Sequence, residues 1–512
     1  MTISSPLSGS SSFKNIPAIL ERGALLHPRR KAVIFEGRSI TYAALNRSAD
    51  SMARRLARKH GVARGDRVAL LLHNSPDFIT SFFGAMKTGA VVVPLNYFLT
   101  PSEIRYIAGD CEVKVLITSV EFRGLVSQIF EKLPALRDVI YVDEEGGDEA
   151  APAGPEGMAF RGAGPGDMAA IIYTSGTTGH PKGAMLTHGN LIGNLVSSAA
   201  AVEVMKGDRF LLVLPVFHSF TITACILMPL SAGARIVVLR SVRPFDAVIK
   251  ALLSRKITVF IGIPGIFNIF AGMKFSWWSR FFMRLRVCIS GSAPLPGSTL
   301  EKWRSRFAFP LLEGYGLSEA SPVVSINPYR GKRKTGSVGV PIPGVKVRIL
   351  SEGGGDGDEG EILVKGPNIM KGYYNRPEDT KKAFHEGWLR TGDMGKIDDD
   401  GYIFIVGRKS ELLLVHGMNV YPREIEEVLY SHPKVREAAV VGRNVDRLGE
   451  MPVAFLSLVE GENATYREMK EHCSRQLARY KVPRKFVFLD SLPRTSTGKI
   501  LKRDLHEMAR DI

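Results

Sequence analysis

A strand-like run, Met168-Ala169-Ala170-Ile171-Ile172-Tyr173, leads into Thr174-Ser175-Gly176-Thr177-Thr178-Gly179 and then His180-Pro181-Lys182-Gly183. An unbroken series of Thr, Ser and Gly after a strand suits an anion, because glycines let backbone N–H groups converge and hydroxyls add donors. Lys182 supplies a point charge, and Pro181 stiffens its approach. The chemistry this implies is polyphosphate binding. Neither Lys182 nor Lys499 has the G-x-x-x-x-G-K-[ST] spacing, and no G-x-G-x-x-G follows the first strand, so the two commonest nucleotide folds are disfavoured.

The elements that must carry this loop are legible as alternation. Arg67-Val68-Ala69-Leu70-Leu71-Leu72 reads as a buried strand, residues 76–88 as a helix, and Ala90-Val91-Val92-Val93-Pro94-Leu95 as the next strand. Further apolar runs at 235–239, 259–262 and 285–290 continue the pattern, which predicts parallel sheet covered on both faces. Residues 144–167 and 352–358 break it, the second as a hairpin. Beyond Gly407-Arg408-Lys409-Ser410 the pattern changes to a compact α+β unit, with helices at 422–429 and 466–480 and strands at 437–441 and 452–459. The reading is an α/β chain of two domains, 1–408 and 409–512, the first also holding a small β-barrel-like part.

Length and composition agree. A chain of 512 residues exceeds one ordinary core. The net charge of +17 suits nucleic acid, an anionic membrane or small polyanions, but the basic residues are dispersed and no nucleic-acid motif accompanies them. Cys111, Cys225, Cys288 and Cys473 form no C-x-x-C pair and fit a reducing compartment. Residues 1–13 lack the basic and apolar regions of a secretory signal. The most apolar stretch, 211–239, is interrupted by Pro215, His218, Pro229 and Arg235, which favours strand-helix-strand over a membrane span.

Further motifs stand in a fixed order: Pro215-Val216-Phe217-His218, Gly291-Ser292-Ala293-Pro294, Glu313-Gly314-Tyr315-Gly316-Leu317-Ser318-Glu319, Trp388-Leu389-Arg390-Thr391-Gly392-Asp393, Gly407-Arg408 and Thr495-Ser496-Thr497-Gly498-Lys499. Together with the phosphate loop they resemble the acyl-adenylate-forming superfamily over nearly the whole chain, and most nearly its medium- and long-chain fatty-acid–CoA ligases. The resemblance implies ATP-binding residues Thr174, Ser175, Gly176, Thr177, Thr178, Gly179, Lys182, Ser292, Ala293, Pro294, Glu313, Gly314, Tyr315, Gly316, Ser318, Asp393, Arg408 and Lys499. Glu319 is a hard oxygen ligand suited to Mg2+ on the phosphates, and the resemblance pairs it with the Thr174 hydroxyl. Asp393 is expected on the ribose hydroxyls with Arg408 behind it, and Ser292-Ala293-Pro294 with Glu313-Gly314-Tyr315 around the adenine. Lys499 is expected as the catalytic cation, alongside Glu319, Thr174 and His218.

The reaction so implied is ATP-dependent activation of a fatty acid to acyl-AMP, then transfer to coenzyme A after the small, mobile domain rotates about Ser410. Relatives often carry Asp or Lys at that pivot, and many have a lysine where Leu414 stands. His218, Phe217, Gly291 and Gly316 are expected at the acyl pocket, with the apolar stretches 220–224 and 261–270 beside it. No Asp near His218 is available to hold an α-ammonium, which disfavours amino acids. Two alternatives stay open: an acyl-AMP ligase loading a separate carrier protein, and an aromatic-acid CoA ligase. Expected partners are ATP, fatty acid and coenzyme A, with room for a homodimer and for weak membrane-surface association through Lys274-Phe275-Ser276-Trp277-Trp278-Ser279-Arg280-Phe281-Phe282; nucleic acid is not expected. The expected setting is cytoplasmic, with attachment at the inner membrane face allowed.

Overall fold

The computed structural model describes residues 13–144, 163–174, 180–273, 275, 283–351, 353, 355–416, 418–445, 449–494 and 500–511. The expected alternation forms two largely parallel sheets. One has six strands in the order Asp138–Tyr141, Val113–Thr118, Arg67–Leu71, Val91–Pro94, Met168–Thr174 and Lys182–Thr187, the last turning back antiparallel on its neighbour. The other has nine: Val340–Pro341, Val323–Ile326, Leu311–Gly316, Val287–Ser290, Val259–Gly262, Arg209–Leu212, Arg235–Val238, Lys31–Phe35 and Arg38–Thr41. Its centre is parallel and its edges antiparallel.

The strands are continuously apolar because helices cover both faces. Helix Pro76–Lys87 shows how the sequence supplies that cover. Ser75 accepts the Phe78 N–H, Pro76 occupies the first turn where its missing donor costs nothing, and Phe78, Ile79, Phe82 and Phe83 are all buried. These rings join one core cluster that includes Val68 and Leu70 from the first sheet with Phe210 and Ile236 from the second. A separate cluster covers the far face of the six-stranded sheet, joining Ala69 and Val93 to Ile104, Ile107, Val126 and Ile129.

Residues 211–239 are strand-helix-strand, as expected. Arg209–Leu212 and Arg235–Val238 flank a helical passage that includes a π-helical segment, Ile222–Leu227. Among the described residues no helix is long and apolar enough to cross a membrane. All four cysteines are buried and free.

The part expected to be barrel-like is a five-stranded antiparallel sheet built from Lys346–Leu350, Glu359–Lys365, Trp388–Ile397, Phe384–His385 and Ile403–Arg408. Its first two strands form the hairpin expected around 352–358. The C-terminal α+β domain packs helices Pro422–Tyr430, Tyr466–Ser474 and Lys502–Arg510 on a sheet centred on Val435–Val445 and Gly449–Leu458, with cores of its own.

Two expected bounds are corrected. The helix predicted over 466–480 ends at Ser474. Beyond it, successive turns (Gln476 and Leu477 N–H to Cys473 O, Lys481 N–H to Ala478 O) let Leu477 and Val482 both reach the core. The strand predicted from Leu285 begins at Val287.

Candidate functional site

The phosphate loop connects two antiparallel strands, and Thr174 and Lys182 face each other across that hairpin. Ser175, Gly176, Thr177, Thr178 and Gly179 lie outside the described residues, as does Lys499. The loop's two anchors are well defined. Lys182 Nζ is 2.8 Å from Asp379 Oδ1 and 5.6 Å from the centre of the Tyr373 ring. Thr174 Oγ1 donates to Glu319 Oε1 at 3.3 Å, and the Tyr373 hydroxyl donates to the same oxygen at 3.0 Å. Tyr373 therefore joins the lysine and the carboxylate into one network. Desolvation and the Glu319 and Asp379 charges push its own ionisation far up, so it stays a donor.

Glu319 is held by its backbone as well. Met370 N–H donates to its carbonyl at 2.8 Å. Asn368 and Asn194 both bind the Ala320 and Val323 carbonyls, and Ser321 takes a left-handed φ of 64°. A non-glycine residue in that region is uncommon, and the two buried asparagines supply what keeps it there. The Glu319–Thr174 pair is a set of hard oxygens. One carboxylate and one hydroxyl fit a magnesium ion that arrives with polyphosphate and keeps most of its coordination from phosphate and water. Among the described residues no cluster of three or more His, Cys, Asp or Glu could cage a metal without it.

Asp393 stands on strand Trp388–Ile397, directly opposite Arg408 of the neighbouring strand. Tyr315 donates to its Oδ2 at 2.5 Å, and Arg408 Nε lies 3.0 Å from Oδ1. A carboxylate accepts about four hydrogen bonds, so two remain for a ligand. Glu361, nearly buried at 4% exposure, supports the turn before it. It accepts the Gly392 N–H at 3.2 Å and pairs with Arg390 and, at 3.6 Å, with Lys409. These cations hold its carboxyl below the ordinary range although burial acts the other way.

The expected adenine-side loop contains a second strained residue, Ser292, at φ 69°. Glu313 does not face outward from this loop. It is 3% exposed and accepts the Leu295 N–H at 2.9 Å, fixing the loop from behind, and burial pushes its carboxyl up to about 7. Gly316 is required by the backbone: a Cβ there would lie 2.1 Å from Pro322 O. At Gly291 the atoms nearest a Cβ would be those of the Phe220 ring, from 3.0 Å. Ser318 sits within 3.1 Å of Ser219, which ties this strand end to the segment after His218.

The residues leading into His218 are set by Asn74, which donates to Leu214 O at 3.0 Å and Leu239 O at 3.1 Å and accepts Val216 N–H at 3.0 Å. Phe217 and His218 rings are 4.3 Å apart, and Tyr97 approaches Phe217 edge-on at 5.0 Å. Much of stretch 261–270 belongs elsewhere. Phe267 and Phe270 pack on Trp303 at 5.5 and 5.3 Å, within an aromatic core shared with Phe307. Apolar residue type could not separate pocket wall from core. Trp277 and Trp278, expected at a membrane surface, lie outside the described residues.

Asn74, Asn194, Asn368, Glu361, Tyr373 and Asp379 carry no motif signal, since each works on a partner distant in sequence. Asp379 alone had a cue, as an acid in the first turn of helix Pro377–Ala383.

Against known proteins, the chain matches the family model "AMP-binding enzyme" over residues 20–374 and "AMP-binding enzyme C-terminal domain" over 424–499. It is 34% identical to a long-chain-fatty-acid–CoA ligase of Bacillus subtilis (strain 168), covering 96% of this chain and 94% of that one. It is 36% identical to an indoleacetate–CoA ligase of Aromatoleum aromaticum, covering 96% and 97%. Among solved structures, ATP-bound MatB from Rhodopseudomonas palustris is 33% identical, covering 97% and 99%, with a TM-score of 0.89. The apo form of MatB gives a TM-score of 0.80 at the same identity, covering 98% and 99%. With both family models matched in order and relatives aligned end to end, this chain belongs to the AMP-binding enzyme family.

Proposed function

We propose that this chain is an acid–CoA ligase that forms acyl-AMP from ATP and a carboxylic acid, releases pyrophosphate, and then exchanges AMP for the thiol of coenzyme A. The observation that carries this reading is the joint presence of two prepared groups. One is the Thr174–Glu319–Tyr373 network beside Lys182, and the other is Asp393, with lone pairs left over from Tyr315 and Arg408. The first suits a triphosphate and the second a ribose.

In this reading Lys182 leaves Asp379 for the phosphates, and Asp393 accepts the ribose hydroxyls. Glu319 and Thr174 would hold Mg2+, which neutralises phosphate charge when bound. An acid carboxylate and the α-phosphate are both anionic, so their approach needs fixed positive charge and in-line positioning. Lys499 is the residue we assign to supply that charge at the reacting atoms. The division at 408/409, with Ser410 as pivot, lets residues 409–512 turn and present a second face for the thiol. Leu414, 52% exposed just beyond the pivot, would travel with that face.

The acid we favour is a fatty acid of medium-to-long chain. Phe217, His218, Phe220 and Gly291 offer it an apolar wall, and each buried CH₂ contributes about 0.8 kcal/mol. An aryl acid is the second reading, favoured by the ring edges of Tyr97, Phe98 and Phe217, of which Phe98 is 58% exposed. Work in the cytoplasm, with weak membrane attachment to draw lipid substrate, accompanies the fatty-acid reading only. A pyrophosphate-release screen over acids of two to sixteen carbons and over indoleacetate and benzoate, with coenzyme A and a carrier protein as acceptors, tests the assignment. Release with no acid at all would sink it, and preference for the aryl acids would move it to the second reading.

A further inference from the structure

The hairpin that closes the phosphate loop is held on its outer side too. Residues 371–374 run along the edge of strand Lys182–Thr187. Lys371 N–H donates to Met185 O at 2.9 Å, Met185 N–H to Gly372 O at 2.9 Å, and Tyr374 N–H to Gly183 O at 2.8 Å. Two residues on, Arg376 turns to another element, helix Pro101–Asp110. Its Nη2 donates to the Tyr106 hydroxyl at 3.0 Å and to Asp110 Oδ1 at 2.8 Å. Tyr106 and Asp110 stand one helical turn apart, so one guanidinium meets both. The other Asp110 oxygen accepts the Tyr173 hydroxyl at 2.6 Å, and Tyr173 immediately precedes Thr174.

The same network reaches the far end of the loop through a ring. The Tyr106 ring lies on that of His180, with centroids 4.8 Å apart and planes 22° from parallel. Pro181 follows with φ locked at about −65°, and Lys182 enters its strand directly after. Fixing the His180 ring therefore fixes how the chain arrives at Lys182. His180 is itself exposed, so the stack adds little to the core and its effect falls on the loop. A loop ordered beforehand need not lose that freedom on binding, which improves affinity without a new ligand contact.

We propose that Tyr106 is a positioning residue for MgATP: its ring clamps His180 so that the phosphate loop meets strand Lys182–Thr187 already set for the phosphates, while Arg376 and Asp110 hold the ring in place. The inference rests on the ATP-binding reading above. It adds to that reading a residue from a helix that carries none of the motifs.

Tyr106→Ala and His180→Ala break the stack from its two sides. The first also trims packing on the far face of the six-stranded sheet, whereas the second changes an exposed position and keeps the test open should the first fold poorly. In each, Kd for MgATP read by calorimetry should rise between about twofold and tenfold, the change that one aromatic pair corresponds to. The double variant should lose no more than the larger single loss, because both substitutions remove one contact. Tyr106→Phe and His180→Phe keep two stacked rings and should restore parent affinity. In acid-dependent ATP–pyrophosphate exchange, the alanine variants should raise KM for MgATP and leave kcat and KM for the acid unchanged. Unchanged Kd in both, a change in Tyr106→Ala alone, or additive losses in the double variant would overturn the clamp. A nucleotide-free measurement keeps it distinct from the proposed activity. Amide hydrogen exchange at His180 and Lys182, followed in peptides ending at Gly183, should quicken in Tyr106→Ala and return to the parent rate in Tyr106→Phe. Parent-like exchange in Tyr106→Ala would refute the clamp even in an active ligase, and faster exchange would support it even if no acid is turned over.

Discussion

Replacing Tyr373 by phenylalanine removes one oxygen and little else. That oxygen donates to Glu319 Oε1 at 3.0 Å, while the carboxylate's other hydroxyl partner, Thr174, sits at the longer 3.3 Å. The ring remains beneath Lys182. A hydrogen bond to a charged acceptor contributes about 1.5–3 kcal/mol. Glu319 is half-buried, so water takes up part of the lost contact and the lower end applies, about 1.5 kcal/mol. If Glu319 positions metal on the phosphates, that loss falls on the transition state as about a tenfold drop in kcat/KM for MgATP. Acid-dependent ATP–pyrophosphate exchange, titrated with MgATP at fixed acid and then with acid at fixed MgATP, reads it directly. The expected pattern is a loss confined to the MgATP titration, partly recovered by excess magnesium. Parent-like exchange together with a lowered Tm would refute the reasoning, since the hydroxyl would then support only the fold.

Lys499→Ala should abolish acyl-AMP formation and spare thioester formation from supplied acyl-AMP; matched losses would remove the two-face assignment. Gly316→Ala forces a Cβ to 2.1 Å from a backbone oxygen, so destabilisation of about 3 kcal/mol or more and poor soluble yield are expected. Gly291→Ala first meets a side-chain ring, Phe220, rather than backbone, so it should fold and shift acid preference toward smaller chains; an unchanged acid profile would place Gly291 outside the pocket. His188, 0% exposed and accepting the Ile16 N–H at 3.2 Å, is held down to about 4 from its ordinary 6.5 by desolvation. A depressed histidine contributes stability that is complete above pH 6.5 and is lost as pH falls toward 4, amounting to about 3 kcal/mol over that window. His188→Gln should flatten the Tm profile between those values, and an equally steep profile would assign the acid loss to other groups.

Most of the scaffold was readable because buried parallel strands must be apolar on both faces, and runs such as Val91-Val92-Val93 admit few other readings. The motif residues were readable because loop chemistry is local: Thr174, Lys182, Glu319 and Asp393 lie where their neighbours in sequence put them. What was not readable acts at a distance. Asn194 and Asn368 bind the same two carbonyls from positions far apart in the chain, and Glu361 supports a turn roughly thirty residues away. Phe267 and Phe270 suggested a pocket because an apolar side chain looks the same whether it faces a ligand or Trp303.

The pairing of Thr174 with Lys182 across an antiparallel hairpin gives the phosphate loop two anchors that share one register. Strand register sets the spacing of hydroxyl and ammonium, and in a hairpin that register depends on the length of the connection, so adding or removing residues within 175–181 would displace one anchor against the other. A one-residue slip of strand Lys182–Thr187 would carry the ammonium to the opposite face of the sheet. For anyone redesigning nucleotide preference, the two closing strands and the length of their connection are therefore the parts to leave alone.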